Sequence, residues 1–568
     1  MGTVYRGVAA SDGVAVAKAW VMAPAALSVE RVEGADPAAE WARVEQAIAA
    51  AKQELEALRQ TALEKMGEAE AQLFVAHAQM LDDPELVGQI RQYLEAERVN
   101  AEWAVKSVID MLASIFEGLD DEYMRQRAAD VRDVGNRLLR RLQGAEGHHL
   151  ADISEPVVLV ARDLAPSDTV QLDAALVRAF VTDVGGRTSH TAIMARSLGI
   201  PAVVGLGDIT ARVQSGQRIA VDGGEGLVVV DPGEDDLARF AREMERQQGE
   251  RARLAALRDA ASVTPDGRRV EIAGNIGTPA EVAQVLAQGG EGIGLFRSEF
   301  LYMNRETPPT EDEQFAAYRE VAEAMAGRPV IIRTLDVGGD KGIPYLGLPQ
   351  EDNPFLGYRA IRVCLDRTDL FQTQLRAILR ASHYGKLRVM FPMIATVEEV
   401  RAAKAQLEAV KASLRREGVP FDDHLEVGIM IEIPAAAVVA DRLAREVDFF
   451  SIGTNDLVQY ALACDRLNER IAHLYQPLNP SVLRLVKMVI DGAHAHGKWV
   501  GMCGELAGDP RATAILLGLG LDEFSMSAGS ILKVRDVVRS TRYEDAKALA
   551  ARALEADTEA DVLRLVEG

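Results

Sequence analysis

The segment around His190 has the composition of a phosphoryl-accepting site. Gly185-Gly186-Arg187-Thr188-Ser189-His190-Thr191 follows an apolar run and precedes the helix-like stretch AIMARSL. Two glycines permit a tight turn, and the amino end of a helix favours a negatively charged group such as a phosphoryl. Neutral imidazole, whose ordinary pKa is about 6.5, can attack phosphorus. The alternative is a helix-capping loop with an incidental histidine, but the other eight histidines have no comparable setting.

A second set of polar residues follows apolar runs in the C-terminal half. The set comprises Arg297, Arg333, Glu432, Asn455, Asp456, Arg466 and Cys503. Arginines hold phosphate and carboxylate in bidentate geometry, and two carboxylates with phosphate oxygens make a site for Mg2+. An amide can donate to phosphate, and an accessible thiol can move a proton. Singly, each residue has a plainer explanation as a surface ion pair or core cysteine. Together they favour a site for a substrate bearing both phosphate and carboxylate.

The residues of this second set need a frame that brings strand ends together. Between residues 262 and 568, apolar strand candidates alternate with helical stretches. The candidates lie at 270–275, 292–297, 330–335, 388–393, 427–433, 449–452, 499–503 and 523–525. Eight strand–helix units in about 300 residues predict a (β/α)8 barrel, with its active site at the carboxyl ends of the strands. A doubly wound sheet is the weaker alternative, because no Gly-rich dinucleotide turn follows the first strand.

The N-terminal half predicts a different organisation. Residues 1–22 and 146–232 are rich in short apolar runs and predict an α/β domain that carries His190. The block at 23–145 is poor in glycine and has helical spacing, which predicts an inserted subdomain of three to five helices, either a plain bundle or a docking surface. Residues 233–261 predict an exposed linker helix that ends near the VTPDG turn. The fold class is therefore multidomain α/β.

Composition limits the function further. The chain has 568 residues and a formal net charge of −23, which argues against nonspecific nucleic-acid binding. Cys364, Cys464 and Cys503 are too few for a disulfide framework, so we expect a reducing cytoplasm. The start does not resemble a signal peptide, and the apolar runs are far shorter than the about 20 residues of a membrane helix. We therefore expect no membrane insertion.

Several segments carry a family resemblance. GGRTSHTAIMARSLGIPAVVG resembles the phosphohistidine signature of the phosphoenolpyruvate-utilising enzymes, and FFSIGTNDLVQYALACDR resembles their second signature, at the substrate site. The resemblance covers nearly the whole chain and is strongest to the phosphoenolpyruvate–protein phosphotransferase branch, enzyme I of the bacterial sugar phosphotransferase system. YMRQRAADVRDVGNRLLRRL and AHAQMLDDPEL resemble the helical subdomain of that branch. SDG at 11–13, where SPG is typical, is a small departure.

The resemblance implies a role for each residue. His190 would be the phosphorylated histidine, attacking through Nε2, and Cys503 the acid that protonates C3 of the enolate to give pyruvate. Phosphoenolpyruvate would be bound by Arg297, Arg333, Asn455, Asp456 and Arg466. Arg359 and Lys341 would line the same site at the carboxyl ends of the barrel strands. Glu432 and Asp456 would bind Mg2+. Thr169 would orient the imidazole.

The resemblance also implies partners. The phosphoryl group would pass from His190 to a histidine of the small histidine-containing phosphocarrier protein, docked on the helical subdomain, in the first step of sugar uptake. The barrel would form a homodimer. Because one histidine must reach two partners, the linker helix and the glycines near His190 are candidates for a swivel.

Related enzymes offer alternatives. A pyruvate phosphate dikinase or phosphoenolpyruvate synthase would need an additional nucleotide-binding domain, and only about 190 residues precede His190. The nitrogen-branch paralogue typically has an extra N-terminal sensory domain, which we do not expect here. A non-catalytic phosphoenolpyruvate sensor would be expected to have lost His190, Cys503 or Asp456, and this sequence keeps all three.

Overall fold

The computed structural model describes most of the chain. The described residues are 2–22, 29–65, 68–117, 122–144, 153–164, 168, 172–173, 175–186, 189–303, 305–339 and 343–567. They form two compact units, Met1–Glu250 and Arg251–Gly568. Among the helices described, none combines the length and the apolar character needed to span a membrane.

The first unit contains a mixed sheet that has eight strands within the described residues. In chain order these are β1 Thr3–Arg6, β2 Val8–Ser11, β3 Val14–Val21, β4 Val157–Ala161, β5 Val177–Thr182, β6 Ala202–Val204, β7 Arg218–Asp222 and β8 Leu227–Val230. Their spatial order is β1-β8-β7-β3-β4-β5-β6-β2, and the pairs from β3 to β6 are parallel. Alternate residues of β4 enter two different cores, because successive side chains point to opposite faces. The predicted α/β character is confirmed.

A helical block lies between β3 and β4 in the sequence. The described part contains five helices, Pro37–Lys65, Glu68–Met80, Pro84–Glu97, Ala101–Glu117 and Glu122–Gln143. They enclose a core of their own, to which Leu55, Phe74, Ile90, Val105 and Leu138 contribute. Five helices agree with the predicted three to five, and β3 and β4 pair directly despite the long insertion between them. The exact domain limits stay a prediction.

The predicted linker helix runs over Glu234–Ala255. Three acidic residues occupy its first turn and Arg253 its last, which suits the helix dipole. The helix ends at Ala255, six residues before the predicted limit at 261, and the chain continues as turns. The predicted exit turn is present, with Gly267 at φ 95° between the bridged residues Val263 and Arg269.

The second unit is a closed parallel barrel that has eight strands in the described part. They are β9 Glu271–Ile276, β10 Ile293–Arg297, β11 Val330–Arg333, β12 Leu387–Phe391, β13 Glu426–Ile431, β14 Phe449–Ile452, β15 Trp499–Met502 and β16 Glu523–Met526. Each lies within two residues of its predicted position. Closure is made by β16 pairing with β9, for example Ser525 with Ala273. The (β/α)8 prediction is confirmed and the doubly wound alternative is wrong.

Helices surround the barrel. Their bounds are Val282–Ala287, Glu311–Ala324, Ile361–Asp366, Thr368–Ser382, Val397–Glu417, Pro434–Val438, Ala440–Leu443, Thr454–Ala461, Pro480–His494, Pro510–Leu519, Ile531–Ser540, Tyr543–Glu555 and Glu559–Glu567. Inside the barrel, one side chain from each of several strands fills the lumen, namely Leu295, Ile331, Met390, Met430, Phe449 and Cys503. The interior is therefore a packed core that supports the residues at the carboxyl ends of the strands.

Candidate active site

The loop before His190 is shaped as the sequence predicts. His190 is the first residue of the helix His190–Leu198, and Ser189 caps that helix by accepting a hydrogen bond from the backbone N–H of Ala192 at 3.3 Å. The buried hydroxyl of Thr191 donates to Asp163 Oδ1 at 3.1 Å, which ties the first turn to the loop that follows β4. His190 is thus held at a helix amino end, where an anionic phosphoryl group is favoured.

Glycine is required at two points of this loop. Gly185 has φ 115°, and a Cβ there would lie 3.2 Å from Ser189 Oγ. Gly205 has φ 70°, and a Cβ there would lie 2.9 Å from the carbonyl oxygen of Gly185. Both backbones adopt conformations that other residues rarely take. Thr169 lies outside the described residues, so its role in orienting the imidazole stays a prediction.

The barrel unit has a cavity of about 530 Å3 at the carboxyl ends of its strands. Its lining includes Arg297, Arg333, Arg359, Glu432, Asn455, Asp456, Arg466 and Cys503. The structure therefore brings together every barrel residue that the sequence singled out, apart from Lys341, which lies outside the described residues. Their chemical roles stay predictions, but their common location does not depend on the family resemblance.

Two buried arginines are held by carboxylates beneath this cavity. Arg333, at the end of β11, pairs with Glu299 and lies 3.0 Å from Asp336 Oδ2 through Nη1. Arg359 binds Asp336 at 3.2 Å and Asp456 at 3.0 Å. Asp336 therefore links the two guanidinium groups. Such pairs fix the planar donors in one orientation, ready for bidentate recognition of an anion.

Glu432 and Asp456 fit a divalent cation. Glu432 is buried and accepts a hydrogen bond from the N–H of Met393 at 2.6 Å. Burial, together with the nearby Asp456 and Asp336 carboxylates, raises the pKa of Glu432 to about 8. Asp456 Oδ1 is buried without a hydrogen-bond partner among the described residues. A cation here would offset the carboxylate repulsion and occupy the free oxygen. Within the described residues no group of three or more potential metal ligands occurs. Mg2+ commonly completes its coordination with substrate and water oxygens.

Cys503 lies directly after β15 and is 3% exposed. Its N–H donates to Ile452 O at 3.1 Å, and its carbonyl accepts from Asn275 Nδ2 at 2.9 Å. Burial raises the pKa of the thiol to about 11, partly offset by the neighbouring Ser451 hydroxyl and the Arg333 guanidinium. The thiol is therefore protonated near neutral pH, the state that a proton donor needs.

Two further acidic residues belong to this cavity and were not predicted as site residues. Asp336 lies three residues after Arg333, and the spacing Arg-x-x-Asp was its available signal. Glu505 exchanges two hydrogen bonds with Asn455: its N–H donates to Asn455 Oδ1 at 2.9 Å, and Asn455 Nδ2 donates to Glu505 Oε1 at 3.3 Å. This pairing fixes the amide of Asn455 at the cavity edge.

Three family models match the chain. The PEP-binding domain of PEP-utilising enzymes matches residues 251–543, their N-terminal domain matches residues 6–127, and their mobile domain matches residues 153–226. The first match covers the barrel and its cavity. The third covers His190.

Full-length relatives are also similar to this chain. A phosphoenolpyruvate-protein phosphotransferase of Geobacillus stearothermophilus is 55% identical over 562 residues, covering 99% of this chain and 97% of the relative. One from Enterococcus faecalis is 53% identical over 571 residues, covering 100% and 99%. A solution NMR structure described as enzyme I is 42% identical and covers 43% of this chain and 99% of its own, with a TM-score of 0.39.

Proposed function

The chain belongs to the phosphoenolpyruvate–protein phosphotransferase family of PEP-utilising enzymes, and we propose that it moves the phosphoryl group of phosphoenolpyruvate to His190 and then to a phosphocarrier protein. The reaction releases pyruvate and is the first step of sugar uptake by the phosphotransferase system. The observation that carries this proposal is the cavity that gathers paired arginines, four acidic side chains and a thiol. The full-length relatives leave the dikinase alternative without support.

The arginines of the cavity would bind the substrate anion. Arg297 and Arg466 line the cavity near the buried pair Arg333 and Arg359, so cationic groups surround the space where phosphate and carboxylate would lie. Phosphoryl transfer depends mainly on positioning and charge neutralisation, which preorganised guanidinium groups supply. Glu432 and Asp456 would hold Mg2+, which adds charge neutralisation at the phosphate when bound.

Cys503 would complete the reaction by protonating the enolate. Its thiol lines the cavity and is protonated near neutral pH. When the phosphoryl group leaves, C3 of the enolate becomes basic, and a donor held beside it gives pyruvate. Loss of the enolate makes the phosphorylation of His190 effectively downhill.

The helical subdomain would receive the phosphocarrier. On the helix Ala101–Glu117, Met111 is 46% exposed and Ile115 is 56% exposed. Residues four apart share one face of a helix, so these two form an apolar spot on the surface. We place the partner's histidine-bearing loop against this face. We also propose a cytoplasmic location, in keeping with three free buried cysteines.

A labelling experiment tests the proposed function. The protein is incubated with radiolabelled phosphoenolpyruvate and Mg2+, with and without ATP. We expect acid-labile labelling that needs no ATP and is abolished in His190→Ala. His424→Ala, which removes an exposed histidine of the barrel unit, is the matched control and should label normally. A strict requirement for ATP, or stable labelling of His190→Ala, would overturn the proposal.

A further inference from the structure

Glu523 is a buried carboxyl inside the barrel that the mechanism above does not use. It is the first residue of β16 and is 3% exposed. Its Oε2 is buried and has no hydrogen-bond partner among the described residues. Burying an unpaired carboxylate is costly, so a protonated carboxyl or a functional reason is expected at such a position.

Two glycines make the space that this carboxyl occupies. A Cβ on Gly501 of β15 would lie 2.0 Å from Glu523 Oε2, and a Cβ on Gly294 of β10 would lie 2.2 Å from Glu523 Oε1. A side chain at either position would require the Glu523 carboxyl to move. The Glu523 side chain therefore points into the barrel interior and lies against the backbones of β15, which pairs with β16, and of β10, which lies one strand beyond β9.

This location places the carboxyl close to Cys503. Gly501 and Cys503 are two residues apart at the end of β15, so both face the barrel interior, separated by roughly 7 Å. Ser451 of β14 is the register partner of Gly501 and is fully buried. Its hydroxyl has no hydrogen-bond partner among the described residues and influences the Cys503 thiol from nearby. Ser451 thus lies beside Gly501, which borders Glu523, and is also near the Cys503 thiol.

We propose that Glu523 resupplies the proton of the Cys503 thiol through the hydroxyl of Ser451. This inference rests on the proposed function, because it requires Cys503 to be the proton donor. Once the Sγ–H bond has broken and C3 of the enolate carries the proton, Cys503 is a thiolate. The Ser451 hydroxyl gives its proton to Sγ and takes one from the Glu523 carboxyl, whose O–H bond breaks. Glu523 is left as a carboxylate and is reprotonated from solvent.

The charged and titratable groups around Glu523 suit this role. Glu271 of β9, Arg388 of β12 and Cys503, just after β15, are close enough to interact electrostatically with it. Burial raises the pKa of Glu523 to about 8, with Glu271 adding to the shift and Arg388 opposing it. The carboxyl therefore holds a proton near neutral pH. Glu271, the first residue of β9, is only partly buried.

Burst kinetics test the proposal with the full-length protein. Phosphoenolpyruvate, Mg2+ and an excess of the phosphocarrier protein are mixed rapidly with Glu523→Gln, and pyruvate is measured over time. The thiol starts protonated, so we expect one pyruvate per site at the wild-type rate. Steady-state turnover should then be at least about tenfold slower, because regeneration of the thiol becomes limiting. Ser451→Ala, which removes the intermediate hydroxyl, should show the same burst.

Glu426→Gln is the matched control. Glu426 lies at the same end of the barrel and pairs with Arg388, but it is partly exposed and does not border Gly501. It should show no burst. Normal steady-state turnover in both Glu523→Gln and Ser451→Ala, or equal slowing of the first and later turnovers in both, would overturn the relay. Failure of the wild type to label His190 would instead refute the proposed function.

Discussion

Arg359 Nη2 lies 3.0 Å from Asp456 Oδ2, and both side chains are buried in the same cavity wall. Asp456, which we assign to the cation, is thus already paired with Arg359, which we assign to the substrate. The second oxygen of Asp456 stays available. Cation binding and anion binding would therefore share one carboxylate, and each should strengthen the other.

Replacing Arg359 should damage both stability and activity. Arg359→Ala leaves Asp336 and Asp456 buried without their common partner, and removing one member of a buried ion pair typically costs about 3–5 kcal/mol. Denaturant unfolding should show that loss, and phosphoenolpyruvate-dependent labelling of His190 should disappear. Arg367→Ala, which breaks an exposed pair with Asp369, should cost less than about 1 kcal/mol. Equal losses in the two variants would contradict this assignment.

The three cysteines allow an internally controlled test of the proton donor. Cys364, Cys464 and Cys503 are all buried, but only Cys503 among them lines the cavity. Cys503→Ala should lower steady-state pyruvate formation by about 10²–10⁴ while thermal melting changes little. Cys364→Ala and Cys464→Ala should retain near-normal turnover. If all three variants lost turnover equally, the thiol of Cys503 would be structural.

The buried carboxyl of Glu523 should make stability depend on pH. Its pKa is raised from 4.5 to about 8, so between these values the folded chain binds more protons than the unfolded chain. The free energy of unfolding must then fall as pH rises from about 4.5 to about 8. Glu523→Gln lacks this titration. The melting temperature of the variant minus that of the wild type should therefore increase as pH rises through this window and stay constant above it. A constant difference from pH 5 to 8 would contradict the raised pKa.

We predict that the barrel unit forms a homodimer, as the family resemblance implies. Val438 is 58% exposed and Met488 is 42% exposed, on the packed helices Pro434–Val438 and Pro480–His494. Sedimentation of the full-length chain with Mg2+ and phosphoenolpyruvate should give a dimer at micromolar concentration. Val438→Glu should weaken it, whereas Val32→Glu, at an exposed position in the first unit, should not. A monomeric wild type would defeat the prediction.

The sequence predicted the strands well because each barrel strand is a short, continuous apolar run between helices. The site at their carboxyl ends followed from barrel geometry, which needs no knowledge of side-chain contacts. Arg359 was different: it follows no strand and precedes a helix, with Ala360 at φ 54°, so only the family resemblance indicated it. Asp336 and Glu523 were missed because their roles depend on which interior groups they meet, and that depends on packing across the barrel.

The glycine-lined recess of the barrel also links the choice of amino acid at three positions. A Cβ on Gly501 would lie 2.0 Å from Glu523 Oε2, so Gly501 can gain a side chain only if the Glu523 carboxyl moves away or residue 523 becomes shorter. Gly501→Ala alone should therefore lower the free energy of unfolding, and adding Glu523→Ala should restore part of that loss. A double-mutant cycle would measure this as a favourable interaction energy between the two substitutions. Such epistasis would link substitutions at 294, 501 and 523, and position 294 is restricted further because a Cβ there would lie 2.5 Å from Ser525 Cβ. The lumen of this barrel is therefore harder to redesign than the cavity at the carboxyl ends of its strands.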